Sequence, residues 1–223
     1  MIRREYYTLI ASLPPLKKFD QAERLPINME RLRERLTILG QEDAKLVDSV
    51  ASFIIWHRQP MERSDKEMFV VYKQLIESIY SPMIKEMINL RIDIRTIVVA
   101  LRRRYRGLPA PKSGELWGMG RWVQHIEKYW DDQNLRLAAV YPWIPQVREY
   151  LENGNALELE RLQMNQVWEG VDRLEDQNYF GIDVIFSYLF KWDMMQRWLA
   201  NDVESAKLRF DELVSEVISD QGI

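Results

Sequence analysis

Arginine is the residue type whose density in this chain could do chemistry. In INLRIDIRTIVVALRRRYRGLP, from Ile88 to Pro109, six arginines (Arg91, Arg95, Arg102, Arg103, Arg104 and Arg106) meet a single acid, Asp93. A guanidinium stays charged and presents a planar fork of donors, so a cluster of them recognises carboxylates or phosphates. The targets open to it are nucleic acid, a membrane surface and an acidic protein surface. The whole chain carries a formal net charge of -3, and no nucleic-acid motif accompanies the local cluster. Specific nucleic-acid binding is therefore the weakest of these readings.

Other chemistries find little to work with. There is no cysteine, which excludes disulfides and zinc–thiolate sites. The 2 histidines, His57 and His125, stand in no metal-binding pattern. Asp131–Asn134 (DDQN) resembles the start of an aspartate-rich prenyl-chain motif, but Leu135 stands where the next Asp is required. GELWGMG has glycines without the Lys and Ser/Thr of a phosphate loop, and no nucleophile elbow exists. Glu158 and Glu160 lie about 200° apart on a helix and do not converge. The expectation is no catalytic residue, no cofactor and no metal. In YPWIP two prolines bracket Trp143, which is either an exposed partner anchor or a ring folded over the core.

The elements that must position these residues are helical. Apolar residues make up 47% of the 223-residue chain, and 9 Gly stand against 8 Trp, 10 Tyr and 7 Phe. Helical spacing recurs over about 29–39, with Asn28 as cap and Gly40 beyond the end, and over 43–57. It continues over 65–80, with a Ser64/Glu67 capping box, and over 82–106. Further helices are expected near 117–134, 143–152, 155–177, 182–199 and 202–219. YYTLIASLPPL reads as a short strand or extended arm closed by Pro14-Pro15. The fold class is all-α, a multi-helix bundle of two lobes with a short N-terminal extended segment. The lobes are 1–107 and 121–223, joined by a Gly/Pro-rich hinge at 108–120, unless the chain is one continuous domain.

On a helical projection of 82–106, Leu90, Ile94, Ile97, Val98, Leu101 and Tyr105 form a buried stripe. Arg91, Arg95, Arg102 and Arg106 flank it, roughly 100–160° from Leu90. Arginines at such a margin lay their stems on apolar surface and reach carboxylates. The chain offers those: residues 146–178 hold eight acids against three basic residues, and 202–220 hold six against two. Arg91, Arg95, Arg102 and Arg106 are thus salt-bridge candidates within the chain. Arg103 and Arg104 point elsewhere and, with Trp143, are candidates for partner binding. No signal peptide and no apolar run of about 18 residues appears. The expected location is cytoplasmic, without membrane insertion.

The same basic helix resembles the signature helix of the C/d subunit family of V-type and A-type ATPases, whose members are called d in eukaryotes. That pattern is an Asp, two residues, then Asn-Ile-Arg/Lys-Thr. Ile94, Arg95 and Thr96 are in register, Asp93 stands at the Asn and Leu90 at the Asp; Leu101-Arg102 and Gly107 also fit. FGIDVIFSYLFKWDMMQRWLA is similar to a second segment of that family: Gly181 and Tyr188 match, Asp193 takes the Glu place, and Arg197 and Leu199 follow. YYTLIASLPPL resembles a group of bacterial proteins encoded alongside V-type ATPase subunits. The resemblance implies a short, C/d-like, non-catalytic component of an ion-transporting rotary ATPase. Such a component is peripheral to the membrane and has the central stalk and rotor ring as partners. The alternatives are a helical interaction module with another partner, or a helical enzyme with an unrecognised pocket.

Overall fold

The computed structural model describes residues 5–54, 65–112, 114–175 and 180–200. Its described residues are helical or irregular and contain no strand, which makes the fold all-α. In chain order the helices are α1 (Tyr7–Ser12), α2 (Met29–Leu36), α3 (Gln41–Ile54), α4 (Asp65–Ser78) and α5 (Pro82–Tyr105). Then come α6 (Val123–Lys128), α7 (Ile144–Glu152), α8 (Ala156–Glu175) and α9, residues 182–200. The Ser64 capping box, His57 and the helix expected over 202–219 lie outside the described residues.

The centre of the fold is α5. Pro82 occupies its first turn, where a missing N–H costs nothing, and the Ser81 hydroxyl accepts from the Ile84 amide at 3.2 Å. At its other end the amides of Gly107 and Leu108 donate back to the carbonyls of Arg104 and Arg103, at 2.8 and 3.0 Å. Arg102, Arg103 and Arg104 sit in the last turn, where positive charge suits the helix dipole. Between these caps α5 buries residues on most of its circumference, from Met83 to Leu101. It packs against α6, α7 and α8. Each large apolar side chain so buried contributes about 1.5–3 kcal/mol of transfer free energy.

One buried cluster draws on the chain from Tyr6 to Met195, with residues from both sides of the 108–120 loop. A smaller one joins Ile27, Leu32 and Trp192, whose indole N–H donates to the Ile27 carbonyl at 2.9 Å. Gly170 lets α8 approach α5, because a Cβ there would land inside the Leu90 side chain.

Two expectations are corrected. The N-terminal extended segment is the helix α1. An isolated strand would leave its amides and carbonyls without a ladder, whereas a helix satisfies them internally. The spacing of Tyr6, Leu9, Ile10 and Leu13 then turns one apolar face inward, with Leu9 fully buried. Pro14 closes it, holding Leu13 extended at ψ 127°. The helix expected over 117–134 is only α6. Before it, residues 119–121 are bonded to α5; after it, the Asp132 carboxylate accepts from the amides of Asn134 and Arg136 and sets a turn. Leu135 and Arg136 take φ of 54° and 51° there. Local side-chain bonds outcompete the helix ladder.

Candidate functional site

Two constellations on α5 bring charged side chains together. The first clasps the end of the 108–120 loop. Asp93 is 0% exposed and accepts from Arg121 three times: from Nε at 2.8 Å, from Nη2 at 2.7 Å and from the backbone amide at 3.1 Å. Arg121 also reaches Glu86 at 2.8 Å. One turn on, the Thr96 hydroxyl donates to the Met119 carbonyl at 2.6 Å and accepts from its amide at 3.1 Å. Gly120 lies between these anchors with φ +94°, and a Cβ there would sit 2.5 Å from Asp93 Oδ1. Left-handed backbone and that close approach both demand glycine. Burial pushes the Asp93 carboxyl up from the ordinary range, and the bonds from Arg121 oppose it.

The second constellation is a groove of about 530 Å³ where α5, α8 and α9 meet. Arg91, Arg95 and Arg102 enter it from α5, Arg197 from α9, and Glu160 and Gln163 from α8. Val98, Val99, Met164, Val167 and Met194 supply its apolar floor. Arg91 lies deepest. Its guanidinium is 3.8 Å from Asp193 Oδ2, which Arg197 approaches to 3.5 Å. Burial first, then the neighbouring Arg197 charge, bring Arg91 down to about 10, so it remains cationic at neutral pH. Arg95 and Arg102 are exposed at the rim.

The arginines thus divide differently from their helical projection. Arg91 lies 3.8 Å from an acid of the C-terminal part, Asp193. Arg95 and Arg102 line the groove, and Arg106 is exposed past the end of α5. Arg103 and Arg104, expected to face a partner, are engaged within the chain. Arg103 pairs with Glu115 at 2.8 Å, and Arg104 donates to the Asp132 carbonyl. Trp143 is 7% exposed and packs against Tyr141 at the start of α7, so its burial leaves no exposed anchor.

The contributions of Arg121, Glu160 and Arg197 were not legible as site residues. The 108–120 stretch reads in sequence as a hinge, whereas the structure brings Gly118 and Gly120 against Thr96 and Asp93 of α5. His125 packs edge-on to Trp122, and its Nε2 lies 3.1 Å from the Leu135 carbonyl, a structural role. Among the described residues no group of three or more His, Asp or Glu could hold a metal, and no helix is long and apolar enough to cross a membrane.

A family model described as "Protein of unknown function (DUF2764)" matches residues 53–221. No curated protein and no solved structure matches the chain.

Proposed function

The chain belongs to that family, and we propose that it is a non-catalytic, C/d-like component of a V-type ATPase. In this reading it couples the central stalk to the membrane rotor or assists assembly, and it associates with the membrane only through that complex. The observation that carries the reading is the contact between α5 and α9. These helices hold the two segments that resemble the C/d family, at 88–109 and 180–200. They meet through Arg91 and Asp193, so two matches separated by about seventy residues of sequence pack against one another.

The polar groups support docking and not turnover. Asp93 and Thr96 are spent on holding residues 119–121, and Arg103 and Arg104 on the loop and turn beside α5. A second reading, an interaction module for a partner unrelated to ATPases, is favoured by the arginine groove alone, since cationic side chains around an apolar floor suit many acidic protein surfaces. Affinity purification of the tagged chain from its native cells, with mass spectrometry of the co-purified proteins, separates the two. V-type ATPase subunits in stoichiometric amount are expected. Their absence beside another stoichiometric partner would sink the ATPase reading and leave the second.

A further inference from the structure

We propose that the open end of α5, the face carrying Arg102, Tyr105 and Arg106 with Leu108 beside it, is a docking site for an acidic segment of a partner protein. It rests on the docking reading above, and not on the identity of the complex. The fold itself singles out this face. Between Ile88 and Pro109, Arg91 is buried beside Asp193, Arg95 is engaged within the chain, Arg103 pairs with Glu115 and Arg104 donates to the Asp132 carbonyl. Arg102 and Arg106 are exposed, and no ion pair or side-chain hydrogen bond among the described residues uses either.

Tyr105 is the second observation. The helical projection puts it in the buried stripe, yet it is 57% exposed, because the core that covers α5 ends one turn earlier at Leu101. Leu108 is exposed as well. Two apolar side chains thus stand in water beside two unpaired guanidiniums. Tyr and Arg are the residue types that carry most of the energy of protein interfaces.

The face is held rigid. Residues 102, 105 and 106 lie three and four positions apart in one helix, so they share a side, with Cβ atoms about 5–6 Å apart. Past them Gly107 takes φ +70°, and the amides of Gly107 and Leu108 close back on the carbonyls of Arg104 and Arg103. Leu108 is thereby fixed at the helix end, and docking costs little chain entropy. Next to Tyr105 lies a concavity of about 250 Å³ between α5, α7 and the Asp132 turn, with half-buried Leu151 in its wall. It gives a seat to an apolar side chain.

These features select the occupant. Two guanidiniums one helical turn apart match two carboxylates at similar spacing. The ring between them, and the concavity beside it, match an apolar side chain between those carboxylates. The acid at the edge of the concavity, Glu152, pairs with Arg148 at 3.8 Å. The chain carries a net charge of -3, so an acidic partner is repelled by the rest of the surface and steered to this end. Nucleic acid fits less well, since two arginines neutralise few phosphates.

The test is photo-crosslinking in native cells with the full chain carrying p-benzoylphenylalanine in place of Leu108, which leaves Arg102, Tyr105 and Arg106 intact. Mass spectrometry of the adduct identifies the partner and the peptide joined to it. The expected adduct is a partner peptide with two or more Asp or Glu within about one helical turn of an apolar residue. Its yield should fall about fivefold or more when Arg102→Glu and Arg106→Glu are combined. Tyr105→Ala should lower it severalfold and Tyr105→Phe should keep it, since the ring makes the contact. All three side chains are exposed, and circular dichroism checks folding; Arg102→Gln with Arg106→Gln is the milder second variant. An adduct that survives the charge reversal, or a partner peptide without acids, would overturn the proposal. So would adducts only with nucleic acid, only with this chain or a second copy of it, or none at all. An acidic adduct from a protein outside the ATPase keeps this inference and counts against the ATPase reading. Co-purifying ATPase subunits without an adduct do the reverse, so the two readings fail separately.

Discussion

Asp93 and Arg121 are partners of unequal burial, and that asymmetry governs their substitution. Removing the half-exposed arginine strands a carboxylate that is 0% exposed. Arg121→Ala should therefore cost about 2–3 kcal/mol, far more than an ordinary surface arginine. Adding Asp93→Asn should recover part of it, because a neutral amide tolerates burial better. Chemical denaturation of the two variants checks both statements; a loss below about 0.5 kcal/mol for Arg121→Ala would contradict the clasp. Tyr188 offers a pH test. Its hydroxyl is buried with no hydrogen-bond partner among the described residues, and burial raises it from 10.0 to about 12. A raised pKa means that the folded state favours the neutral phenol. That stability is fully present below pH 10 and is lost as pH rises towards 12. Tyr72, Tyr80 and Tyr141 are raised in the same direction, each chiefly by burial. Melting temperature should fall across this window, and Tyr188→Phe should reduce the fall while leaving neutral-pH stability unchanged or slightly higher. A steeper alkaline loss in Tyr188→Phe would refute the assignment.

Between elements, the α5–α8 approach is set by Gly170 against Leu90. In isolation Gly170→Ala should favour α8 by about 1 kcal/mol through helix propensity. Against Leu90 the new methyl overpacks, at a cost of about 1–3 kcal/mol, so the single substitution should be neutral or destabilising. In a Leu90→Ala background the same substitution should turn stabilising, and a thermal-melt double-mutant cycle measures that change of sign; additive effects would deny the contact. At this scale the sequence was most readable where one signal dominated. Asn28 marked the start of α2 because capping is local chemistry, and its side chain accepts from the Arg31 amide. Residues 117–134 misled because their backbone obeys distant or irregular partners: Thr96 and Asp93 from α5 on one side, the Asp132 turn on the other. The segment at 6–13 misled because so short an apolar run fits strand and helix equally, and only burial of Leu9 decides. The groove was half legible. A projection of α5 found the margin carrying Arg91, Arg95 and Arg102, but no single-helix projection can show that Arg197 and Glu160 face them from α9 and α8.

For the whole molecule, the helices bury one large apolar cluster and leave a cationic groove on an acidic chain. On the proposed reading such a body recognises a partner by shape and charge. The isolated chain should accordingly show no magnesium-dependent ATP turnover that survives purification, which a phosphate-release assay checks. The central claim is that the chain docks into a rotary ATPase through the rim of this groove. It is tested most directly by quantitative co-purification from native cells of three tagged chains: wild type, Arg95→Gln/Arg102→Glu, and Arg103→Glu/Arg104→Glu. The first double variant leaves Arg91 and its Asp193 contact in place. The second breaks the Arg103–Glu115 pair and the Arg104–Asp132 bond, so it should lower the melting temperature. The expected result is that ATPase subunits accompany wild type, are depleted several-fold with the groove variant at equal folding, and persist with the folded fraction of the Arg103/Arg104 variant. Undiminished recovery with the groove variant, or selective loss with the Arg103/Arg104 variant, would contradict it.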